Sequence, residues 1–152
     1  MDNREAILAR LLIIAAGVDG VAKSYRNKDD VPETSRPAIV ILDGDEGSDD
    51  SDPGRRPANA PRRIGMTPEI YILLGGTPAT VGTDINLIRA KFVKAVMTDA
   101  TLIGLTLDGV GIRYEGCATG LARGRSMEGE MGLSFTFTYL MRPELLFEDV
   151  TA

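Results

Sequence analysis

The side chains most able to do chemistry are the carboxylates Asp43, Asp45, Glu46, Asp49, Asp50 and Asp52, crowded into one short stretch. Oxygen-rich loops of this kind bind hard cations such as calcium. The spacing does not match the helix-loop-helix calcium motif: Gly44 and Gly47 fall at the wrong positions, and no glutamate follows at the bidentate position before Arg55 and Arg56. A second candidate is a phosphate cradle at Gly75-Gly76-Thr77-Pro78 and Gly82. A P-loop needs Lys followed by Ser or Thr after its last glycine, and the dinucleotide fingerprint needs G-x-G-x-x-G, so these glycines fit a tight turn instead. The third is the lone Cys117, a nucleophile only if a neighbouring base raises its thiolate fraction. The chain has no histidine to serve as that base, and with it goes the commonest metal ligand. The motifs therefore point to a protein without catalytic residues, metal or cofactor, in which Cys117 is an ordinary thiol.

Composition agrees with that direction. At 152 residues, with 43% apolar and 26% charged side chains, the chain fits a single domain, 1–152, with a real core. A net charge of -5 disfavours a broad nucleic-acid surface, which needs concentrated Lys and Arg. One cysteine cannot form an intrachain disulfide, which points to a reducing cytoplasm as the place of synthesis. The apolar stretch 7–18 is broken by Arg10 and too short to span a bilayer. Ala15, Ala16 and Gly17 imitate a signal-peptide cleavage site, but Asp2 and Glu5 spoil the basic leader, so the segment is read as a helix of the mature protein.

The elements that must carry any site follow from periodicity. A first helix is expected over 4–18, stopped by Gly17 and Gly20. Its wheel carries one apolar stripe of Ile7, Leu8, Leu11, Ala15 and Val18 and a second surface of Ala9, Ile13 and Ala16 nearly opposite. Such a helix either lies sandwiched inside the domain or presents its second surface to a neighbouring subunit, and the small size of the domain favours the neighbour. A second helix is expected over 84–99, N-capped by Thr83, with Ile85, Ile88, Phe92 and Val96 inward. Its outer side shows Lys91 and Lys94 with Leu87 among them, ordinarily a solvated face and alternatively a contact for an acidic partner.

Strands are expected at 21–25, 37–42, 69–74, 111–115 and 130–141. In the last, Leu133, Phe135, Phe137 and Tyr139 alternate with Ser134, Thr136 and Thr138, giving one buried and one polar face. The expected class is α+β: a mostly antiparallel sheet with two main helices packed on one face. Between strands ending near Leu42 and beginning near Ile64, the stretch 43–63 is polar and rich in Gly and Pro, and is expected as a flexible charged loop or arm. Its acidic half, with Asp49, Asp50 and Asp52, and its basic half, with Arg55, Arg56, Arg62 and Arg63, could pair with complementary charge on adjacent copies and order on assembly. The equal alternative is a solvated insertion.

The segments Arg4-Glu-Ala-Ile-Leu-Ala-Arg-Leu-Leu, Arg36-Pro-Ala-Ile-Val-Ile-Leu-Asp-Gly-Asp-Glu46, Met66-Thr-Pro-Glu-Ile, Leu87-Ile-Arg-Ala-Lys, Gly111-Ile-Arg-Tyr-Glu-Gly-Cys117 and Met127-Glu-Gly-Glu-Met-Gly-Leu-Ser-Phe-Thr-Phe-Thr-Tyr139 follow one another in an order that resembles the tail-terminator or minor-tail proteins of long-tailed bacteriophages. That resemblance implies a virion protein made in the host cytoplasm. Its subunits form a homo-oligomeric ring, a hexamer in the family, that caps the tail tube, ends tail polymerisation and docks on the head-tail connector, with no cofactor, membrane or sequence-specific nucleic acid among its partners. The related alternatives are a neck or head-completion protein and a tail-tube subunit. A host α+β domain that binds a small molecule is the alternative of a different class.

Overall fold

The computed structural model describes residues 2–76, 79–121 and 127–146. Helix α1 (Asn3–Ala16) is followed by strands β1 (Lys23–Arg26), β2 (Ala38–Ser48) and β3 (Arg62–Gly76), helices α2 (Val81–Thr98) and α3 (Ala100–Leu105), and strands β4 (Ile112–Leu121) and β5 (Met127–Met141). The five strands form one sheet in the order β1-β2-β3-β5-β4, antiparallel throughout except for the parallel β1-β2 pair. The helices lie on one face, so the expected α+β class with two main helices on a mostly antiparallel sheet is the observed one. Among the described residues no helix is long and apolar enough to cross a membrane.

The core lies between the helices and the sheet. Ile7, Leu8, Leu11 and Ala15 of α1 and Val81, Ile85, Ile88, Phe92 and Val96 of α2 meet the inward residues of β5, Met131 through Tyr139 at every second position. Phe135 packs edge-on to Phe92, their centroids 6.3 Å apart, and joins the two layers. In β2, four successive residues, Ala38 to Ile41, are all buried, because Ile39 and Ile41 face the helices while Ala38 and Val40 meet Val31, Tyr25 and Tyr71 on the other face. A continuous apolar run is what burial on both faces demands.

Several boundaries move from the expected ones. Helix α2 starts at Val81, not 84, with Thr80 at the N-cap and Thr83 inside the first turn, because Val81 continues the buried series 81, 85, 88 and adds one more turn of core contact. Asp99 ends α2 and also caps α3, accepting a hydrogen bond from the Leu102 amide at 2.8 Å. Helix α3 is not foreseen by the periodicity at all. Gly75 and Gly76 belong to the end of β3, while Thr77 and Pro78 of the expected tight turn lie outside the described residues.

The largest correction concerns 43–63. Residues 43–48 continue β2 and pair with β3 as far as Ser48 opposite Ile64, while Arg62 and Arg63 lie in β3 opposite Met141 and Leu140 of β5. The loop is therefore 49–61. Around Asp43 and Gly44 the register slips, so that two residues of β2 face the single Pro68 of β3. A proline has no amide to give the ladder, and a bulge opposite it removes the mismatch.

The N-terminus of α1 is tied to this bulge. Arg4 Nη2 donates to the Gly44 carbonyl at 2.9 Å, and the buried Tyr139 hydroxyl donates to Glu46. Arg26 of β1 reaches both Glu5 (2.7 and 2.8 Å) and Asp43 (2.7 and 3.0 Å), and its guanidinium holds both carboxyls below their ordinary range. Carboxyls depressed in the folded state stabilise it above their unfolded value of about 4 and lose that contribution as pH falls through the lower folded value. Arg26→Met is expected to cost about 1 to 2 kcal/mol at neutral pH, since it strips charged hydrogen-bond partners from two half-exposed carboxylates. It should also flatten the loss of stability between neutrality and acid. Urea titrations of both proteins at a series of pH values measure this, and parallel pH profiles would contradict the bridging role.

Candidate functional site

Three surfaces bear on function: the 49–61 loop, the outer side of the helices, and the open face of the sheet.

The loop is built from its own opposite charges. Asp49 accepts from the Ser51 amide at 3.0 Å and from its hydroxyl, which holds its carboxyl below the ordinary range. Asp52 accepts from the Arg63 amide at 2.9 Å and pairs with Arg56, and the amide bond is the chief reason its carboxyl is also depressed. Arg63 Nη1 donates to the Ser51 carbonyl at 3.1 Å, Arg62 Nη2 reaches the Pro57 carbonyl at 3.4 Å, and Asn59 donates to Glu144 at 2.9 Å. Asp49, Asp52, Arg56 and Arg63 are thus engaged inside one chain. Asp50 and Arg55 are exposed and make no hydrogen bond or ion pair among the described residues. Among those residues, no group of three or more His, Cys, Asp or Glu is placed to hold a metal ion.

On the helices, Ile13 is 60% exposed, Ala16 is exposed and Ala9 half-buried, so α1 is not sandwiched within the domain. Arg10 clasps Asp99 at 2.7 and 2.9 Å, and Lys91 lies 3.4 Å from Asp19 beyond the other end of α1. These contacts run α1 and α2 antiparallel and set Ile13 and Ala16 level with the last turns of α2, where Lys94 and Met97 are exposed. Leu87 is exposed one turn before Lys91. The residues singled out in sequence thus share one outward surface, with Lys91 already partnered.

The open face of the sheet holds a trough of about 660 Å³ that sequence reasoning does not find. Its floor is β5, where Gly132 contributes no side chain and Ser134 and Thr136 contribute hydroxyls. Thr67, Glu69 and Tyr71 of β3 line one side, and Glu115 and Ala118 of β4 the other. The strand irregularities shape it. Glu115 is the extra residue where the β4-β5 register shifts between Tyr114 and Gly116, and the bulge turns its carboxylate over β5, where it accepts from the Thr136 hydroxyl at 2.9 Å. Arg113, 2.5 Å away, holds the Glu115 carboxyl below its ordinary range. The Tyr71 hydroxyl donates to Glu69 at 3.2 Å, and burial, with the charges of Glu69 and Glu130, pushes its phenol up. Glu69 and Glu130 meet no cation among the described residues. Only the floor was signalled in the sequence, by the polar alternation of Ser134, Thr136 and Thr138. Cys117 is exposed.

No protein-family model matches the chain, and no curated protein matches it.

Proposed function

We propose that this chain is a structural subunit of a bacteriophage tail, a terminator whose copies close into a ring, cap the tail tube, end its polymerisation and offer a docking surface to the head-tail connector. In this reading it carries out no reaction, takes no cofactor, and resides in the tail or neck of the virion after assembly in the host cytoplasm. The order of its segments, which resembles that family, supports the reading, as does an α+β subunit of this size. The observation that carries it is Ile13, 60% exposed on a helix whose opposite side is wholly in the core. A single exposed apolar residue is common. Here Ile13 stands one helical turn from Ala9 and Ala16 on the outward side of α1, forming an apolar strip that copies of the chain would cover.

Electron microscopy of the purified protein tests the role: short closed rings support a terminator, long stacks a tube subunit, and monomers at every concentration neither. The contact itself is tested by Ile13→Glu. Covering an unpaired carboxylate costs about 3 kcal/mol, roughly a hundredfold in affinity, while the core side of α1 is untouched. Sedimentation should then show a folded protein of smaller mass. Rings of undiminished stability would remove this surface from the contact.

A further inference from the structure

Resting on that ring reading, we infer that the trough on the open face receives an arginine of a second copy, Arg55 of the 49–61 loop.

Charge decides the occupant. Within one chain two of the three acidic residues of the loop are already answered, Asp49 by Ser51 and Asp52 by Arg56 and the Arg63 amide. What the loop leaves unpartnered among the described residues is Asp50 and Arg55, both exposed, and of the two only Arg55 carries the charge that suits an acidic trough. The trough has the opposite surplus. Glu115 is matched by Arg113 at 2.5 Å, but among the described residues Glu69 and Glu130 meet no cation. Among the described residues, then, the loop keeps an unpartnered cation and the trough keeps anions without a cation, and the two do not meet in a single copy.

The shape of the trough selects a guanidinium over an ammonium. A guanidinium is planar, binds carboxylates through paired N–H groups and stacks on aromatic rings. The trough offers a carboxylate fixed by the Tyr71 hydroxyl at 3.2 Å, the Tyr71 ring as a wall, and the bare backbone of Gly132 as a floor over which a flat group can slide. A β-carbon at Gly132 would lie 3.5 Å from the Tyr71 ring and fill that space. Arg55 and the acids of the trough belong to different segments, so joining them copy to copy is a head-to-tail contact, the kind that closes into a ring when its rotation allows.

The test uses sedimentation velocity on the whole chain in four forms: the parent, Arg55→Glu, Glu69→Arg with Glu130→Arg, and the triple variant that reverses both sides. All three substituted positions are exposed, and thermal melts verify that each form folds. Reversal of either side should weaken association about tenfold or more, and the triple variant should recover most of it. Added salt should weaken the parent, because the pair is only partly shielded from solvent. If Arg55→Glu associates like the parent, Arg55 is not the occupant. If the glutamate reversal has no effect, the trough is not a contact, and if both weaken association without recovery in the triple form, the two surfaces do not meet. A parent that forms rings unaffected by these charges overturns the trough alone, whereas a parent that is monomeric throughout overturns the ring reading as well.

Discussion

Phe135→Ala should remove about 3 to 5 kcal/mol of folding stability, the loss expected when a fully enclosed aromatic ring is cut back and its cavity only partly collapses. Phe135 is 1% exposed and touches each layer of the fold: Phe92 of α2 edge-on at 6.3 Å, Tyr114 of β4 at 5.3 Å and Phe137 of its own strand, stacked at 5.8 Å. No neighbour can refill the space, since β5 is hydrogen-bonded on both sides and α2 is held by four other buried residues. Domains of this kind are stable by only about 5 to 15 kcal/mol, so roughly a fifth or more of the total is at stake. Phe135→Leu, which keeps most of the volume, should cost about 1.5 kcal/mol or less. Urea unfolding of the two variants separates these outcomes. The damage also reaches the open face, because Ser134 and Thr136 flank Phe135 and form the trough floor. A loosened β5 should therefore weaken any contact made through the trough, even though Phe135 never touches it.

What could be read from the sequence was whatever depends on local period. The alternation in 130–141 gave β5 its two faces, and the 3.6-residue spacing of Ile85, Ile88, Phe92 and Val96 gave α2 its inward side. The same periodicity showed that Ile13 lies opposite the core stripe of α1, and it is indeed 60% exposed. Ile14, absent from the expected stripe, is buried at its margin.

What could not be read depends on partners distant in the chain. Residues 43–48 have almost no intrinsic preference for a strand, being Asp, Gly, Glu and Ser. They form one because β3 supplies a backbone ladder. Beside them β1 has already ended, its last pairing being Arg26 with Ile41. From Gly44 onward no other strand among the described residues pairs with that edge of β2, where charged side chains are tolerated and help to deter unwanted pairing. The 52–56 spacing does suit an internal ion pair, but nothing in the sequence chooses between Arg56 and a cation on another copy. The trough is assembled from three strands, and its acids, Glu69, Glu115 and Glu130, come from three segments distant in the chain. Only the sheet order β3-β5-β4 brings them to one place.

Gly44→Ala is the sharpest test of the revised β2. Gly44 has φ +68°, a backbone conformation that residues with a side chain adopt at a cost. Space is forbidding as well. An added β-carbon would overlap the Thr67 carbonyl oxygen and sit 2.8 Å from Pro68 Cα, and both are backbone atoms of a central strand that cannot swing aside. Strain and overlap together should cost roughly 2 to 4 kcal/mol. Relief by shifting the bulge would pull the Gly44 carbonyl from Arg4 and loosen the start of α1, so the substitution has no inexpensive escape. Gly47→Ala is the matched control: it lies three residues along the same strand, has no positive φ and would meet nothing within 4 Å. There the change should stay within about 0.5 kcal/mol. If 43–48 were a mobile loop, the two alanines would behave alike, since neither would have a fixed neighbour to strike. A large gap between their denaturation midpoints is therefore expected only if β2 runs through the bulge and pairs with β3 beyond it.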